Sequence, residues 1–164
     1  MMPVNPDIHT SSSPTSERRR CDEIMTRNVT TAQPMMTLQQ VAALMREGDM
    51  GALPVVDESG KLVGIVTDRD IVVRAAADGR DLNQAAVSEV MTQELHTANP
   101  RDFVFQAIRL MREKQVRRVP IIDENGTLQG IVAMADIALE MEDEREIAET
   151  LEDISSGAAF WRKS

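Results

Sequence analysis

The heptapeptides GIVTDRD (residues 64–70) and GIVAMAD (residues 130–136) are nearly the same sequence, and they stand 66 positions apart in a chain of 164 residues. The similarity extends well beyond them, because residues 24–75 align with residues 90–141 at this offset without a gap, and 20 of the 52 aligned positions are identical. Self-similarity at a fixed period is the signature of a duplicated structural unit. The chain is therefore predicted to contain two copies of one fold.

Each copy begins with the same two elements. A short strand is predicted at 28–31 and again at 94–97, and a proline and then a helix follow each strand. A second helix is predicted later in each copy, beginning near Thr67 and near Met134. Apolar residues at positions i, i+3, i+4 and i+7 place one face of the first helix in the core. These residues are Leu38, Val41, Ala42 and Met45 in the first copy, and Val104, Ala107, Ile108 and Met111 in the second.

A β-hairpin is predicted between the two helices of each copy. Its strands read ALPVV and KLVGIV in the first copy and RVPII and TLQGIV in the second, with DESG and DENG between them. The Asn-Gly pair in DENG is a strong signal for a two-residue turn, and the Ser-Gly pair in DESG is a weaker one. Pro54 and Pro120 have no backbone N–H to donate, so their strands are expected at an edge or at a break in pairing.

These elements predict an α/β (α+β) protein in which two tandem β-α-β-β-α repeats pack with pseudo-twofold symmetry into one module. One copy of about 52 residues is marginal for folding alone, and clefts between stacked copies are natural ligand sites. Gly79 is expected to end the last helix of the first repeat, and Ser88 to cap a short helix before the second. The predicted divisions are a disordered tail at 1–16, repeats at 17–80 and 81–142, and an acidic C-terminal helix and tail at 143–164.

Composition argues against several classes of function. A net charge of −9 disfavours general binding to nucleic acid or to a membrane surface. Cys21 is alone, and His9 and His96 are the histidines, so a disulfide, a histidine-based triad and a multi-ligand metal site all lack residues. Glycine-rich nucleotide loops and the apolar segment of a signal peptide are also absent from the sequence. We expect a cytoplasmic, non-catalytic protein without a metal.

The motif Thr67-x-x-Asp70 has two interpretations. In the first it caps a helix, because Thr accepts a hydrogen bond from a free backbone N–H and Asp complements the helix dipole. This explains the second copy less well, since Ala133 cannot cap and yet Asp136 is retained. In the other interpretation the helix N-terminus attracts phosphate, and the carboxylate accepts hydrogen bonds from a ribose.

The duplicated pattern resembles the cystathionine-β-synthase (CBS) domain pair, or Bateman module, over about residues 20–142. The resemblance rests on the Met-Thr opening of each copy, on the LPVVD and VPIID strands, and on the strand–turn–strand that leads to G-h-h-T/S-x-x-D. It implies a disc-like pair that often forms a homodimer. It also implies regulatory, signal-transducing binding of an adenosine nucleotide without catalysis, with AMP, ADP or ATP foremost and NAD(H) or S-adenosylmethionine as alternatives.

The resemblance further implies two ligand sites, each built from both copies. In each site the T/S-x-x-D motif of one copy holds the ribose and phosphate, and strands of the other copy surround the base. Site one comprises Ile65, Thr67, Arg69, Asp70, Leu95, His96, Val116, Arg117, Arg118 and Pro120. The weaker site two comprises Val29, Thr30, Met50, Gly51, Ala52, Pro54, Ile131, Ala133, Ala135 and Asp136.

The two implied sites differ in charge. Site one has Arg117-Arg118 where site two has Gly51-Ala52, and charge-assisted hydrogen bonds contribute roughly 1.5–3 kcal/mol each. We therefore predict one strong nucleotide site and one that is weak, empty or used differently. The arginine pair has an alternative role as a solvated pair or a dimer contact.

Three candidate functions follow from the sequence. The first is a sensor of adenine nucleotides that acts on an unknown effector protein through its dimer. The second is a ligand-independent module for dimerisation or protein interaction. The third, a redox or metal-linked stress protein using Cys21 and His96, is disfavoured because two scattered ligands do not make a metal site.

Overall fold

The computed structural model describes residues 19–140 together with Glu152 and Ile154. The predicted tail at 1–16 and nearly all of the predicted C-terminal helix and tail lie outside the described residues. Within the described part, no helix is both long enough and apolar enough to cross a membrane. The elements in chain order are α1 (Cys21–Ile24), α2 (Leu38–Gly48), β1 (Ala52–Val56), β2 (Leu62–Thr67), α3 (Asp68–Asp70) continuing as a π-helix (Ile71–Ala76), a 3₁₀ turn (Val87–Glu89), α4 (Val104–Lys114), β3 (Arg118–Ile122), β4 (Leu128–Ala133) and α5 (Met134–Glu140).

Helices α2 and α4 lie where the apolar periodicity predicts them. Val41 and the equivalent Ala107 are fully buried, and so are most of the other residues that define the apolar faces. Both helices are followed by a residue in the left-handed conformation, Asp49 with φ 51° and Gln115 with φ 57°. A left-handed residue closes a helix and redirects the chain, so each helix leads directly into its hairpin.

Both predicted hairpins are present as antiparallel pairs, β1 with β2 and β3 with β4. Pro54 lies opposite Ile65, and Pro120 lies opposite Ile131. The Pro54 carbonyl accepts a hydrogen bond from the Ala32 N–H at 2.9 Å, on the side of β1 that faces away from β2. Since the N and C=O of one strand residue face the same side, the missing N–H of Pro54 costs no bond within the hairpin. The predicted edge position of the prolines is confirmed.

The strands predicted at 28–31 and 94–97 are not formed, and this expectation was wrong. A single parallel bridge joins Ala32 to Val55, and another joins Ala98 to Ile121. Extending either ladder by one step towards the N-terminus would need an N–H from the proline at the centre of β1 or β3. Proline cannot supply it, so the pairing ends after one bridge.

The hairpin turns also differ from the two-residue type predicted for them. Gly60 and Gly126 have φ values of 85° and 82°, whereas Asn125 is not among the described residues with positive φ. Asp57 Oδ1 accepts hydrogen bonds from the backbone N–H groups two and four residues later, at 2.9 and 3.0 Å. Asp123 repeats both contacts. The aspartate side chain therefore organises a longer turn in which glycine alone takes the left-handed conformation.

The connection between the copies matches the prediction at one end. Gly79, with φ 69°, follows the last helix of the first copy as expected. Ser88 is not a cap, because it lies inside the 3₁₀ turn that Ala86 precedes. The cap position is Ala86, two residues earlier than expected, and Val87 at the start of the turn is fully buried in the core.

Each of the two cores is completed by a segment from the opposite half of the chain. Residues 21–25 pack with α4, β3, β4 and α5 of the second repeat, although they belong to the first repeat in sequence. Residues 85–91 pack in the same way with α2, β1, β2 and the π-helix. The two halves are therefore interlocked and share both cores.

Backbone hydrogen bonds show the pseudo-twofold relation directly. Thr26 and Ile131 exchange two N–H···O bonds of 2.9 and 3.0 Å, and Thr92 and Ile65 exchange two of 2.8 and 3.0 Å. The second pair of residues is the first with the copies interchanged at the 66-residue offset. The predicted symmetric packing of the two repeats is present.

The same contact explains why Met-Thr and Gly-Ile-Val recur together. A Cβ atom on Gly130 would lie 2.6 Å from the Thr26 carbonyl oxygen, and one on Gly64 would lie 2.7 Å from Met91 Sδ. Real Cβ atoms do not approach so closely. A Cβ at residue 130 would clash with backbone, and a Cβ at residue 64 would displace the Met91 side chain, where the Met-Thr segment of one copy crosses the second hairpin strand of the other.

Candidate ligand-binding cleft

A cleft of about 620 Å³ lies between the two copies. Small-molecule sites in proteins typically measure about 300–1,000 Å³, so this volume suits a ligand of nucleotide size. The beginnings of β1 and β3, residues of β2 and β4, and the first turn of α3 form its walls. The residues that line it are Gly51, Ala52, Leu53, Pro54, Ile65, Thr67, Asp68, Arg69, Gln115, Val116, Arg117, Arg118, Pro120, Ile131 and Ile154.

The apolar part of the cleft is symmetric. Pro54 and Ile65 from the first copy meet their equivalents Pro120 and Ile131 from the second. Both prolines are buried, and both isoleucines are half-buried. Because each pair is related by the 66-residue offset, the cleft lies on the pseudo-twofold axis.

The charged part of the cleft is asymmetric. Arg69, Arg117 and Arg118 line it, and Asp68 is the carboxylate among the described lining residues. The chain as a whole carries a net charge of −9. The cleft is therefore opposite in sign to the protein as a whole. A cleft of this kind concentrates anionic ligands.

Backbone contacts hold the arginine pair in place. Gln115 ends α4 in the left-handed conformation and lines the cleft itself. The Met134 N–H then donates to the Arg117 carbonyl at 2.9 Å, as the Asp68 N–H does to the Gly51 carbonyl. Each of these bonds fixes the start of a first hairpin strand against the N-terminus of the helix that follows the same hairpin.

The T-x-x-D motif of the first copy forms a complete capping box. Thr67 Oγ1 accepts from the Asp70 N–H at 3.1 Å, and Asp70 Oδ2 accepts from the Thr67 N–H at 2.9 Å. Arg74 Nε lies 3.7 Å from the other carboxylate oxygen of Asp70. Asp70 is 9% exposed. Both hydrogen bonds that the capping interpretation requires are therefore formed, and they involve a buried carboxylate.

The N–H groups of the first turn of α3 are bonded within the chain. Asp68 donates to the Gly51 carbonyl, Arg69 donates to Asp68 Oδ1 at 2.7 Å, and Asp70 donates to the Thr67 hydroxyl oxygen. These groups are therefore already satisfied, and attraction for an anion rests on the guanidinium groups.

The second copy keeps half of each capping box. Asp136 Oδ2 accepts from the Ala133 N–H at 3.0 Å, a bond that needs no threonine. The same loss occurs at α4, where Phe103 stands in the place of Thr37 and Gln106 still accepts from the Phe103 N–H at 2.8 Å. The retained aspartate is thus explained by its bond to the helix start.

A smaller pocket of about 330 Å³ adjoins the arginine pair on the other side. It contains the N-terminal part of α5 and lacks a hydroxyl or carboxylate among its described lining residues. The residues that line it are Arg117, Arg118, Ala133, Met134, Ala135 and Ala138.

The main cleft combines residues from both implied sites. From site one it contains Ile65, Thr67, Arg69, Val116, Arg117, Arg118 and Pro120, and from site two Gly51, Ala52, Pro54 and Ile131. Ala133 and Ala135 line the smaller pocket instead. The implied residues that line neither are Asp70, Leu95, His96, Val29, Thr30, Met50 and Asp136.

Sequence reasoning missed four lining residues. Asp68 stands inside the T-x-x-D motif, and Leu53 and Gln115 adjoin residues already singled out, so adjacency was an available signal. Ile154 lies beyond the second copy and carries no motif. Its place in the cleft depends on tertiary structure alone.

The thiol of Cys21 is fully buried. Burial raises its pKa to about 12, and the negative charges of Asp102 and Asp22 add to the effect. A neutral, buried thiol is a poor nucleophile and a poor metal ligand. Across residues 19–140, Glu152 and Ile154, no group of three His, Cys, Asp or Glu is placed to hold a metal ion.

Comparison with known families agrees with this architecture. The family model for the CBS domain matches the chain twice, at residues 21–76 and 87–143. The chain belongs to the CBS domain family, and its two repeats form one mixed α+β module. The resemblance noted in the sequence, and the fold that it implied, are confirmed.

Relatives of similar length share this organisation. CBS domain-containing protein YhcV of Bacillus subtilis is 44% identical over 133 residues, which cover 81% of this chain and 93% of the relative. Hypoxic response protein 1 of Mycobacterium tuberculosis is 40% identical over 116 residues, covering 71% of this chain and 80% of the relative.

Solved structures with the same fold contain several ligands. The crystal structure of Hypoxic Response Protein I with two coordinated zinc ions matches with a TM-score of 0.69 and 38% identity, covering 75% of this chain and 99% of that one. The CBS domain pair of protein MJ0100, in complex with 5′-methylthioadenosine and S-adenosyl-L-methionine, has a TM-score of 0.65 and 29% identity, with coverage of 74% and 94%. The cytosolic domain of the Mg²⁺ channel MgtE in complex with ATP has a TM-score of 0.63 and 27% identity, covering 73% of this chain and 47% of that one.

Proposed function

We propose that this protein binds an adenosine nucleotide in the main cleft and acts as a non-catalytic regulatory sensor. The observation that carries the proposal is the combination of symmetric apolar walls with three arginines in one cleft of suitable volume. The adenosyl ligands held by the CBS domain pair of MJ0100 and by the MgtE domain support it.

In this proposal the adenine base lies between the apolar walls, and the phosphates face Arg117 and Arg118. The Thr67 hydroxyl oxygen already accepts a hydrogen bond from the Asp70 N–H. Its O–H group can still donate a hydrogen bond to the ligand. The arginines favour AMP, ADP or ATP over S-adenosylmethionine, whose sulfonium is cationic. NAD(H) carries a diphosphate and ranks second.

The asymmetry between the two copies becomes part of the proposal. The strong site is the Thr67 side of the main cleft. The weak site is the Asp136 side, where Ala133 stands in place of the threonine and Gly51-Ala52 in place of the arginine pair.

We also propose that the protein is a homodimer which presents the bound state to an effector protein. Val72 and Val73 on the π-helix are 60% and 49% exposed, and Leu139 on α5 is 85% exposed. Val73 and Leu139 are equivalent at the 66-residue offset. An apolar face that is itself pseudo-symmetric suits a second copy related by a twofold axis.

A ligand-independent interaction module is the second candidate. It is favoured by the first turn of α3, whose N–H groups and Asp70 carboxylate are all engaged within the chain. In that case the motif is purely structural, and the protein acts through its surface.

Calorimetric titration with AMP, ATP, NADH and S-adenosylmethionine separates the two functions. We expect wild type to bind AMP or ATP at one strong site. The double variant Arg117→Gly/Arg118→Ala, which copies Gly51 and Ala52, should bind at least about 100-fold more weakly, given roughly 1.5–3 kcal/mol for each charge-assisted contact. Arg46→Ala, on the exposed part of α2 away from the cleft, is the matched control. Absence of binding for all four ligands would exclude the sensor and support the interaction module.

A further inference from the structure

Ile154 lines the main cleft although it lies beyond the part of the chain that matches the CBS family. The second family match ends at residue 143. Ile154 is 7% exposed, and it packs in the core formed by α4, β3, β4 and α5. Part of the cleft wall is therefore supplied by a residue outside both family matches.

Ile154 forms part of the cleft wall and does not fill the cleft. The volume of about 620 Å³ is what remains with Ile154 in place, and it is within the range of small-molecule sites. Val116 and Ile131 are other apolar residues that line the cleft. A ligand in the cleft would bury further apolar surface against this side chain, which is favourable.

We infer that Ile154 is an affinity-determining residue of the nucleotide site, and that ligand binding and burial of the Ile154 side chain stabilise one another. This inference rests on the proposed function. Because a coupling between two binding events is reciprocal, a ligand that contacts Ile154 also holds it in the cleft. The burial of Ile154 therefore increases when the cleft is occupied.

The first test compares ligand affinity in two full-length variants that remove the same atoms from the same core. Ile154→Ala alters the core and the cleft, whereas Ile137→Ala alters the core alone, since Ile137 is buried and does not line the cleft. We expect the dissociation constant for AMP or ATP to rise about tenfold in Ile154→Ala, as for lost apolar contacts in a binding pocket, and to stay unchanged in Ile137→Ala. Should Ile137→Ala fail to fold, Ile137→Val replaces it.

The second test needs no variant. Hydrogen exchange of the backbone amides at residues 152–154 in wild type should slow when saturating AMP or ATP is added. The inference would be overturned if Ile154→Ala bound the ligand as tightly as wild type. It would also be overturned if the exchange rates at residues 152–154 were the same with and without ligand. Neither outcome would affect the proposed nucleotide site. Failure of wild type to bind any of the four adenosyl ligands would overturn the proposed function and this inference together.

Discussion

Single residues in this protein show how one motif serves both structure and ligand chemistry. Asp70 and Asp136 each accept a hydrogen bond from the backbone N–H three residues earlier, at 2.9 and 3.0 Å. The threonine adds the reverse bond in the first copy and is absent from the second. The aspartate alone is therefore sufficient to start the helix, and the threonine is an addition that one copy has.

A threonine restored to the second copy should stabilise the protein. We expect Ala133→Thr to raise the free energy of unfolding by about 0.5–1 kcal/mol and Thr67→Ala to lower it by about 1 kcal/mol, because each changes one N-cap bond. The pocket beside Ala133 leaves room for the added atoms. Urea denaturation measures both changes.

Ala135→Thr is the control for this exchange, because it adds the same atoms at an exposed position inside α5. A β-branched residue there gains no cap and lowers helix propensity slightly. Equal effects of Ala133→Thr and Ala135→Thr would contradict the capping explanation.

Cys21 should make the protein sensitive to alkali. Its folded pKa of about 12 is above the ordinary value of 9.0. The contribution of the neutral thiol to the free energy of unfolding is therefore complete below about pH 9, and it is lost as the pH rises towards 12. At about pH 10.5 the loss should amount to about 1–2 kcal/mol relative to pH 8.

Cys21→Val is the matched variant, since Val87 is buried at the equivalent position of the other core. The difference in unfolding free energy between wild type and Cys21→Val should grow between pH 8 and pH 10.5. A constant difference over that range would show that the thiol does not titrate with folding.

At the scale of elements, the crossing of each Met-Thr segment over a hairpin strand decides how the copies pack. Gly130 meets the backbone of Thr26, while Gly64 chiefly meets the side chain of Met91. A carbonyl oxygen cannot move without breaking the hydrogen bonds that Thr26 and Ile131 exchange. The two glycines are therefore equivalent in sequence but not equally restrictive.

Alanine at these glycines should destabilise the protein unequally. We expect Gly130→Ala to cost about 1–3 kcal/mol, as for overpacking of a dense contact, and Gly64→Ala to cost less because Met91 is flexible. Thermal and urea unfolding of the two variants provide the comparison.

Gly48→Ala is the control, since the three atoms nearest to its Cβ would all belong to the flexible Met50 side chain. Alanine is also favoured over glycine in a helix by roughly 0.5–1 kcal/mol. A loss of stability in Gly48→Ala as large as in Gly130→Ala would refute the role of the crossing.

At the scale of the whole molecule, two of the exposed large apolar residues are related by the same pseudo-symmetry as the cores. Val73 and Leu139 occupy matching positions on the outer helices. If this face joins two copies in a dimer, a twofold axis places the face of one copy against the same face of the other.

Charges placed on this face should separate the dimer. We expect the double variant Val73→Glu/Leu139→Glu to elute as a monomer by light-scattering chromatography at a concentration where wild type is a dimer. Met35→Glu, at a residue that is 81% exposed outside these helices, should remain a dimer. A dimeric double variant, or a monomeric wild type, would refute the proposed interface.

The sequence by itself determined the features that depend on local patterns. The apolar faces of α2 and α4 follow from helical periodicity, the hairpins follow from alternating strands bounded by Asp and Gly, and the duplication follows from identity at one offset. These patterns carry the family resemblance, and the resemblance implied eleven of the fifteen described lining residues of the main cleft.

Tertiary structure alone decided the features that depend on partners distant in the chain. The strands predicted at 28–31 and 94–97 failed because the facing residue is a proline without an N–H to share. The two implied ligand sites contribute to one cleft because their walls meet on the pseudo-twofold axis. Ile154 lines that cleft because its side chain is buried in the core of the second copy. A local sequence pattern cannot predict this contact, because the residues that Ile154 meets are distant in the chain.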